Sequence, residues 1–140
     1  MEQSFHYQLM AVQSFVQKKI LEQLSDTDLT IGQPKVLEYL GHHDGMSQKD
    51  IAQACHIEPG SMTSILNRMK DKKMIERRML HGNRRSFYVF LTPYGKEMWQ
   101  RVDQAFARIE QEIWQDISAD EQEHFMKTFH QIYNNLAPKY

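Results

Sequence analysis

The chain has 140 residues, 41% of them hydrophobic and 25% charged, which is long enough to bury one hydrophobic core. It has no apolar run near the roughly 20 residues of a membrane span, no secretory signal in "MEQSFHYQLM" and a single cysteine, Cys55, which together predict a cytoplasmic protein without membrane contact. The net charge of −1 conceals a basic middle: residues 47–86 hold nine Lys and Arg against four acids, a pattern typical of a solvated surface or of a face that binds a polyanion.

Two amphipathic helices are predicted in the first third of the chain. Apolar residues recur at spacings of three and four from Phe5 to Ile20, which indicates a helix from residue 5 to about residue 22. The stretch "LSDTDLTIGQP" breaks this pattern. A second helix is predicted from about Pro34 to Leu40, and "GHHDGM", with a glycine on either side, is expected to end it.

Two short helices joined by a tight turn are predicted next. Ser47 suits the cap of a helix over residues 47–54, with Asp50 in the third position of a capping-box-like pattern. The turn "CHI" leads to a second helix over residues 58–72, in which Pro59 suits the first helical position. Its apolar residues form the i, i+3, i+4, i+7 stripe of a core-facing helix: Met62, Ile65, Leu66 and Met69.

A β-hairpin is predicted over residues 75–91. Ile75 to about Met79 and Ser86 to Leu91 alternate as strands do. The segment "LHGNRR" between them suits a hairpin loop, because Gly and Asn tolerate positive φ.

Two long helices close the chain. Thr92 and Pro93 are expected to cap the first, along which apolar residues step by three and four in an a/d seam: Trp99, Val102, Phe106, Ile109 and Ile113. The capping box "SADE", residues 118–121, begins a last helix with a further apolar set: Phe125, Phe129, Ile132, Tyr133 and Leu136. The predicted fold class is therefore mainly α with a small β-hairpin, in one domain over residues 1–140.

Two short helices followed by a hairpin, within residues 34–91, predict a winged helix-turn-helix. A helix fits the major groove of B-DNA, and an arginine on a narrow ribbon can enter the minor groove. Small polar residues lie opposite the apolar stripe of the second short helix, and Asn67 or Arg68 is the expected reader of a base. The predicted DNA-binding residues are Ser47, Gln48, Gly60, Ser61, Thr63, Ser64, Asn67, Arg68, Arg77, Arg84 and Arg85.

With this order of elements, the segments "LNRMKDKKMIERR" and "RRSFYVFLTPYG" resemble the MarR family of winged helix-turn-helix transcriptional regulators over nearly the whole chain. The resemblance implies a homodimer in which helices over residues 5–24 and 93–138 interleave, so that two winged domains bind a palindromic operator in double-stranded DNA. It also implies that Arg85, the second arginine of the wing tip, enters the minor groove.

The chain departs from the pattern of the family at three positions. Asn83 and Leu80 stand where aspartates are usual, and Lys73 stands where a glycine usually follows the recognition helix. If Lys73 adopts the left-handed conformation of that glycine, the cost is about 1 kcal/mol. These departures concern the fine geometry of the wing and of the turn before it.

A dimer interface and an effector crevice follow from the resemblance and from the apolar seams. The interface is predicted to comprise Phe5, Leu9, Val12, Phe106, Ile109, Ile113, Phe125, Phe129, Ile132 and Tyr133. A small aromatic effector that releases the DNA is expected between the dimer helices and the winged domain, although residues of this kind are more often core. The candidate lining residues are Phe5, His6, Met10, Phe15 and Tyr39.

Other functions have weaker signals. Cys55 lies in the turn of the helix-turn-helix, whereas peroxide-sensing members of the family keep their cysteine near the start of the first helix. His42 and His43 are the candidates for metal sensing, but adjacent loop histidines are more often surface residues. A metal- or redox-responsive regulator and a protein–protein adaptor that does not bind DNA are the alternatives. No catalytic motif, cofactor or metal site is predicted.

Overall fold

The structure, a computed structural model, describes residues 1–80 and 87–139. These residues form six helices and three short strands: α1 (Phe5–Gln23), α2 (Gln33–His42), β1 (Met46–Ser47), α3 (Gln48–Ala54), α4 (Pro59–Asp71), β2 (Ile75–Met79), β3 (Phe87–Leu91), α5 (Pro93–Ile113) and α6 (Ala119–Leu136). The chain divides into two compact units, residues 1–107 and residues 108 onward. None of the described helices is long and apolar enough to cross a bilayer.

The sheet has three antiparallel strands in the order β1-β3-β2. β2 and β3 form the predicted hairpin, with Ile75 opposite Leu91 and Met79 opposite Phe87. The added strand β1 pairs Met46 with Val89, and the Asp44 carboxylate accepts a hydrogen bond from Leu91 N at 2.9 Å. The prediction of a hairpin alone was therefore incomplete, because a two-residue strand has no period by which the sequence could reveal it.

Side-chain caps begin the helices at the predicted positions. Ser47 Oγ accepts from Asp50 N at 3.2 Å, Thr92 Oγ1 from Gly95 N at 3.0 Å, and Ser118 Oγ from Glu121 N at 3.2 Å. Each of these bonds satisfies an amide of the first helical turn that has no partner within the helix. The caps thus fix where α3, α5 and α6 start.

α2 continues two residues beyond the predicted end at Leu40, through Gly41 to His42. A Cβ on Gly41 would lie 2.1 Å from Trp99 Cε2, so the absence of a side chain is what admits the indole ring. The His42 ring meets the same indole edge-on, with 5.5 Å between centroids. The helix therefore ends within "GHHDGM", as expected, and close packing between α2 and α5 explains the glycine at position 41.

The core of the first unit lies beneath the two short helices and the sheet. Val36 and Leu37 of α2, Ile51 of α3 and Val89 of β3 are completely buried. Met62, Leu66 and Met69 of the predicted stripe are buried with them, whereas Ile65 is partly buried. This stripe fixes the rotation of α4 and leaves its polar side in solvent.

Large apolar side chains remain exposed on the first and last helices. In the first unit, Phe5 is 49% and Val12 53% exposed on α1. In the second unit, α6 has no buried residue, and Phe125 and Tyr133 are 54% and 50% exposed. An 18-residue helix with an apolar face gains most of its stability when that face is buried. In α6, none of the described side chains is buried.

Candidate nucleic-acid interface

The exposed side of α4 carries small polar residues and one arginine. Pro59 occupies the first helical turn, and the last turn carries Arg68 and Lys70. All six of the residues that the sequence predicts to face DNA from this helix are exposed: Gly60, Ser61, Thr63, Ser64, Asn67 and Arg68. Short side chains allow a helix to approach base edges closely, and a cation near the C-terminus complements the helix dipole.

A hydrogen bond joins the start of α3 to the exposed side of α4. Gln48 Nε2 donates to Thr63 Oγ1 at 2.6 Å, and the Thr63 hydroxyl in turn donates to the Pro59 carbonyl at 3.1 Å. Ser47 lies just before Gln48, at the end of β1, where its hydroxyl caps α3. Gln48 therefore lies beside the exposed side of α4, and Ser47 precedes it in the chain.

A second hydrogen bond joins α4 to the wing. Arg77 of β2 donates through Nη2 to Asn67 Oδ1 at 3.0 Å. Successive side chains of a strand point to opposite faces. The next residue, Arg78, accordingly pairs with Glu76 and lies over the Phe90 ring, 4.4 Å from its centroid. Of these two arginines, only Arg77 contacts α4 among the interactions that the structure describes.

An open groove of 720 Å³ runs between α4 and β2. Its lining includes Thr63 and Asn67 and three cations, Lys70, Lys73 and Arg77. Lys70 and Lys73 belong to the basic segment but were not predicted to bind DNA. The signal that could have found Lys70 is its position one helical turn after Asn67, on the exposed side of the helix.

Lys72 belongs to the same basic run, but its ammonium group is bound within the protein. Its Nζ donates to the Asp28 carbonyl and, at 3.1 Å, to Gln33 Oε1. Gln33 is 1% exposed, and its Oε1 also accepts from Thr30 N at 3.1 Å. These bonds hold the end of α4 against the segment that precedes α2.

The turn after α4 forms a C-terminal cap with a lysine at the usual position of glycine. Met74 N donates to the Met69 carbonyl at 3.0 Å, and Lys73 N to the Lys70 carbonyl at 2.9 Å. Lys73 has a φ of +64°, so it adopts the left-handed conformation that the sequence analysis considered. Thr92 Oγ1 donates to the Lys73 carbonyl at 2.6 Å, which ties this turn to the start of α5.

The tip of the wing lies outside the described residues. The predicted DNA contacts Arg84 and Arg85 and the family departure Asn83 fall there. Their assignments stay predictions from the sequence.

A separate cavity of 430 Å³ lies within the first unit. It is lined by residues of α1, α2 and α5, by the segment before α2 and by Ile57 of the turn between α3 and α4; the lining includes Val16, Ile20, Lys35 and Phe106. None of the five predicted effector-lining residues borders it. On α1, Phe5, His6, Met10 and Phe15 are exposed, whereas Tyr39 of α2 stacks on His43 with 4.5 Å between ring centroids.

Neither the redox-responsive nor the metal-responsive alternative is supported by a site among the described residues. Burial raises the pKa of the Cys55 thiol, which disfavours the reactive thiolate, and its Sγ lies 4.0 Å from the Lys35 carbonyl. Among the described residues, no group of three or more His, Cys, Asp or Glu side chains is arranged to hold a metal ion. His42 packs on Trp99, and His43 on Tyr39.

The part of the chain that forms α3, α4 and most of the sheet also matches a known family in sequence. Residues 27–86, which span the helix-turn-helix and most of the wing, match the sequence model of the MarR family. The chain is similar in sequence to the MarR family over this region. Its resemblance to solved winged helix structures extends beyond these residues to nearly the whole chain.

Two relatives and one solved structure show how far the likeness extends. A putative transcriptional regulatory protein for the hcr operon of Thauera aromatica is 25% identical over 113 residues, covering 80% of this chain and 67% of that protein. The uncharacterized HTH-type transcriptional regulator YdgJ of Bacillus subtilis (strain 168) is 25% identical over 130 residues, 93% of this chain and 77% of that protein. The S. aureus MepR–DNA complex superposes with a TM-score of 0.88 at 24% identity, covering 95% of this chain and 98% of that chain.

Proposed function

We propose that this chain is a transcriptional regulator of the MarR family that binds a palindromic operator as a homodimer, with α4 in the major groove and the wing arginine Arg85 in the minor groove. A small aromatic ligand that binds the folded protein then changes its affinity for DNA. The observation that carries the proposal is the exposed side of α4, whose polar residues border a groove lined by three cations.

The groove between α4 and β2 supports contact with the DNA backbone. Lys70 of α4, Lys73 of the following turn and Arg77 of β2 line the groove between the helix proposed for the major groove and the wing proposed for the minor groove. A strand of DNA that passes from one groove to the other places its phosphates between these two elements. Phosphates attract lysine and arginine regardless of sequence, so the cations supply affinity and the residues of α4 supply sequence preference.

A homodimer accounts for the exposed apolar residues of α1 and α6. Charged or polar side chains would be expected at positions such as Phe5, Val12, Phe125 and Tyr133 if they stayed in solvent. A twofold dimer covers the same patch on both copies, and its symmetry matches a palindrome with half-sites about one helical turn apart.

The operator is to be found by selecting bound duplexes from a random pool. We expect the selected sites to be palindromic, and Arg85→Ala to weaken their binding and remove the preference for A·T pairs beneath the wing. Arg108→Ala, an exposed arginine of α5 outside the basic segment, is the matched control. If Arg85→Ala binds the selected duplex as tightly as the wild type, the role of the wing is refuted.

The dimer is tested by sedimentation equilibrium. We expect the wild type to sediment as a dimer, and Phe125→Asp combined with Tyr133→Asp to sediment as a monomer with weakened operator binding. His124→Asp, an exposed polar position on the same helix, controls for the added charge. A wild type that is monomeric at operator-binding concentrations contradicts this part of the proposal.

The ligand is tested by thermal unfolding with benzoate and its hydroxylated derivatives. A ligand that binds the folded state must raise the unfolding midpoint with its concentration. An active compound should also change the affinity for the selected duplex. If none of these aromatic carboxylates raises the unfolding midpoint, the proposed ligand is contradicted.

A further inference from the structure

The hydrogen bond between Arg77 and Asn67 determines which atom of the Asn67 amide faces the wing. A guanidinium group has donors and no acceptor, so the amide atom 3.0 Å from Arg77 Nη2 must be the oxygen, Oδ1. The amide nitrogen Nδ2 is then the end that faces away from Arg77. On an exposed helix face, that end is the one available to a DNA base.

The neighbouring pair, Gln48 and Thr63, is ordered by the same logic. The Pro59 carbonyl can only accept, so the Thr63 hydroxyl donates to it at 3.1 Å. The Thr63 oxygen therefore accepts from Gln48, whose nearest amide atom, at 2.6 Å, must be the donor Nε2. Thr63 already uses its one donor within the protein, which leaves Asn67 as the better-placed side chain to donate to a base on this side of α4.

We infer that Arg77 is a positioning residue that fixes the Asn67 amide, so that Asn67 donates to a keto oxygen on the major-groove edge of a base. In the major groove, guanine and thymine present the keto oxygens O6 and O4 where adenine and cytosine present amino groups. A side chain that presents only donors accordingly prefers guanine or thymine over adenine or cytosine. An unrestrained asparagine instead pairs well with adenine, using both its oxygen and its nitrogen.

This inference rests on the proposed DNA binding and adds the base class that Asn67 recognises. Its failure is distinguishable from a failure of the proposed function, because affinity and base preference are measured separately. If no duplex is selected, DNA binding itself fails and this inference falls with it. If duplexes are selected, the base preference at the position that depends on Asn67 shows whether this inference is right.

The experiment measures binding to duplexes that carry each of the four base pairs at every position of the selected half-site. The position read by Asn67 is the one at which Asn67→Ala abolishes discrimination. We expect the wild type to favour guanine or thymine there over adenine and cytosine by about tenfold. Arg77→Met, which keeps an unbranched side chain with an apolar stem but removes the guanidinium donors, should reduce this preference to less than about threefold.

Two further variants separate positioning from simple phosphate binding. Arg77→Lys retains a donor that can reach Asn67 Oδ1, and it should keep most of the discrimination. Arg78→Ala removes the adjacent arginine, which pairs with Glu76 rather than with α4, and it should leave the discrimination unchanged.

Two results would overturn the inference. In the first, Arg77→Met weakens all duplexes by the same factor and leaves the discrimination intact, so that Arg77 acts only on the backbone. In the second, the position that depends on Asn67 favours adenine in the wild type, as an unrestrained amide would.

Discussion

Lys73 adopts a conformation that glycine adopts more easily. Its φ of +64° costs an L-residue about 1 kcal/mol. Part of this cost is offset because the unfolded chain has less conformational entropy with lysine than with glycine at this position. We expect Lys73→Gly to raise the free energy of unfolding by about 0.5 kcal/mol, measured by urea denaturation. Lys70→Gly, the same change inside α4, is the matched control and should lower it by about 1 kcal/mol. Equal destabilisation by both variants would show that Lys73 is not strained.

Asp26 and Arg101 form an exposed ion pair with a defined pH dependence. Arg101 donates to Asp26 at 2.6 Å, and this hydrogen bond holds the pKa of the Asp26 carboxyl below its ordinary value of 3.8. A lowered folded-state pKa stabilises the protein above the unfolded-state pKa, and this contribution is lost as the pH falls through the folded-state pKa.

Asp26→Asn tests this pair. We expect a slightly lower unfolding midpoint than the wild type at about pH 7, and a difference that shrinks as the pH falls below 3.8. The effect is small because solvent screens exposed charges. Thermal unfolding across this pH range is the measurement, and a difference that grows as the pH falls would contradict the assignment.

The sequence could not predict individual contacts between residues that are far apart in the chain. The polar side of α4 was predictable, because the positions of Met62, Leu66 and Met69 fix its rotation. The bond between Asn67 and Arg77 was not, since it depends on where β2 passes the helix. Lys72 likewise counted as surface charge until its contacts with Asp28 and Gln33 were known.

At the scale of elements, α5 is packed directly against the turn that ends α4. A Cβ on Gly95 would lie 2.0 Å from the Met74 carbonyl oxygen, which is backbone and cannot rotate away. Thr92 N donates to the same carbonyl at 3.0 Å. We expect Gly95→Ala to lower the free energy of unfolding by about 2 kcal/mol, measured by urea denaturation.

Gly60→Ala is the control for this substitution. A Cβ on Gly60 meets nothing within 4 Å, so alanine in this helical position should be neutral or stabilising by about 0.5 kcal/mol. If both variants have the same stability, the contact between α5 and the turn is looser than the structure shows.

The element boundaries illustrate what local sequence can predict. The hydroxyl caps at Ser47, Thr92 and Ser118 were found because their partners lie three residues away. The strand β1 and the helical role of Gly41 were missed because both depend on distant partners, β3 and Trp99. The sequence thus predicted the starts of helices better than the strand and glycine that packing determines.

At the scale of the molecule, the positive charge of the central segment is divided between two uses. Lys70, Lys73 and Arg77 line the open groove beside α4, whereas Lys72 binds Asp28 and Gln33. Net charge alone does not separate these uses, because it counts each lysine equally. The proposed DNA binding depends on this division, because among these lysines only those in the groove are proposed to meet phosphate.

The salt dependence of binding to the selected operator tests this claim most directly. We expect log K to fall linearly with log salt concentration, and Lys70→Gln to make the slope shallower by about two, one for each protomer of a dimer. Lys72→Gln should leave the slope unchanged. A wild-type affinity that does not vary with salt, or equal slopes for Lys70→Gln and Lys72→Gln, would contradict the account.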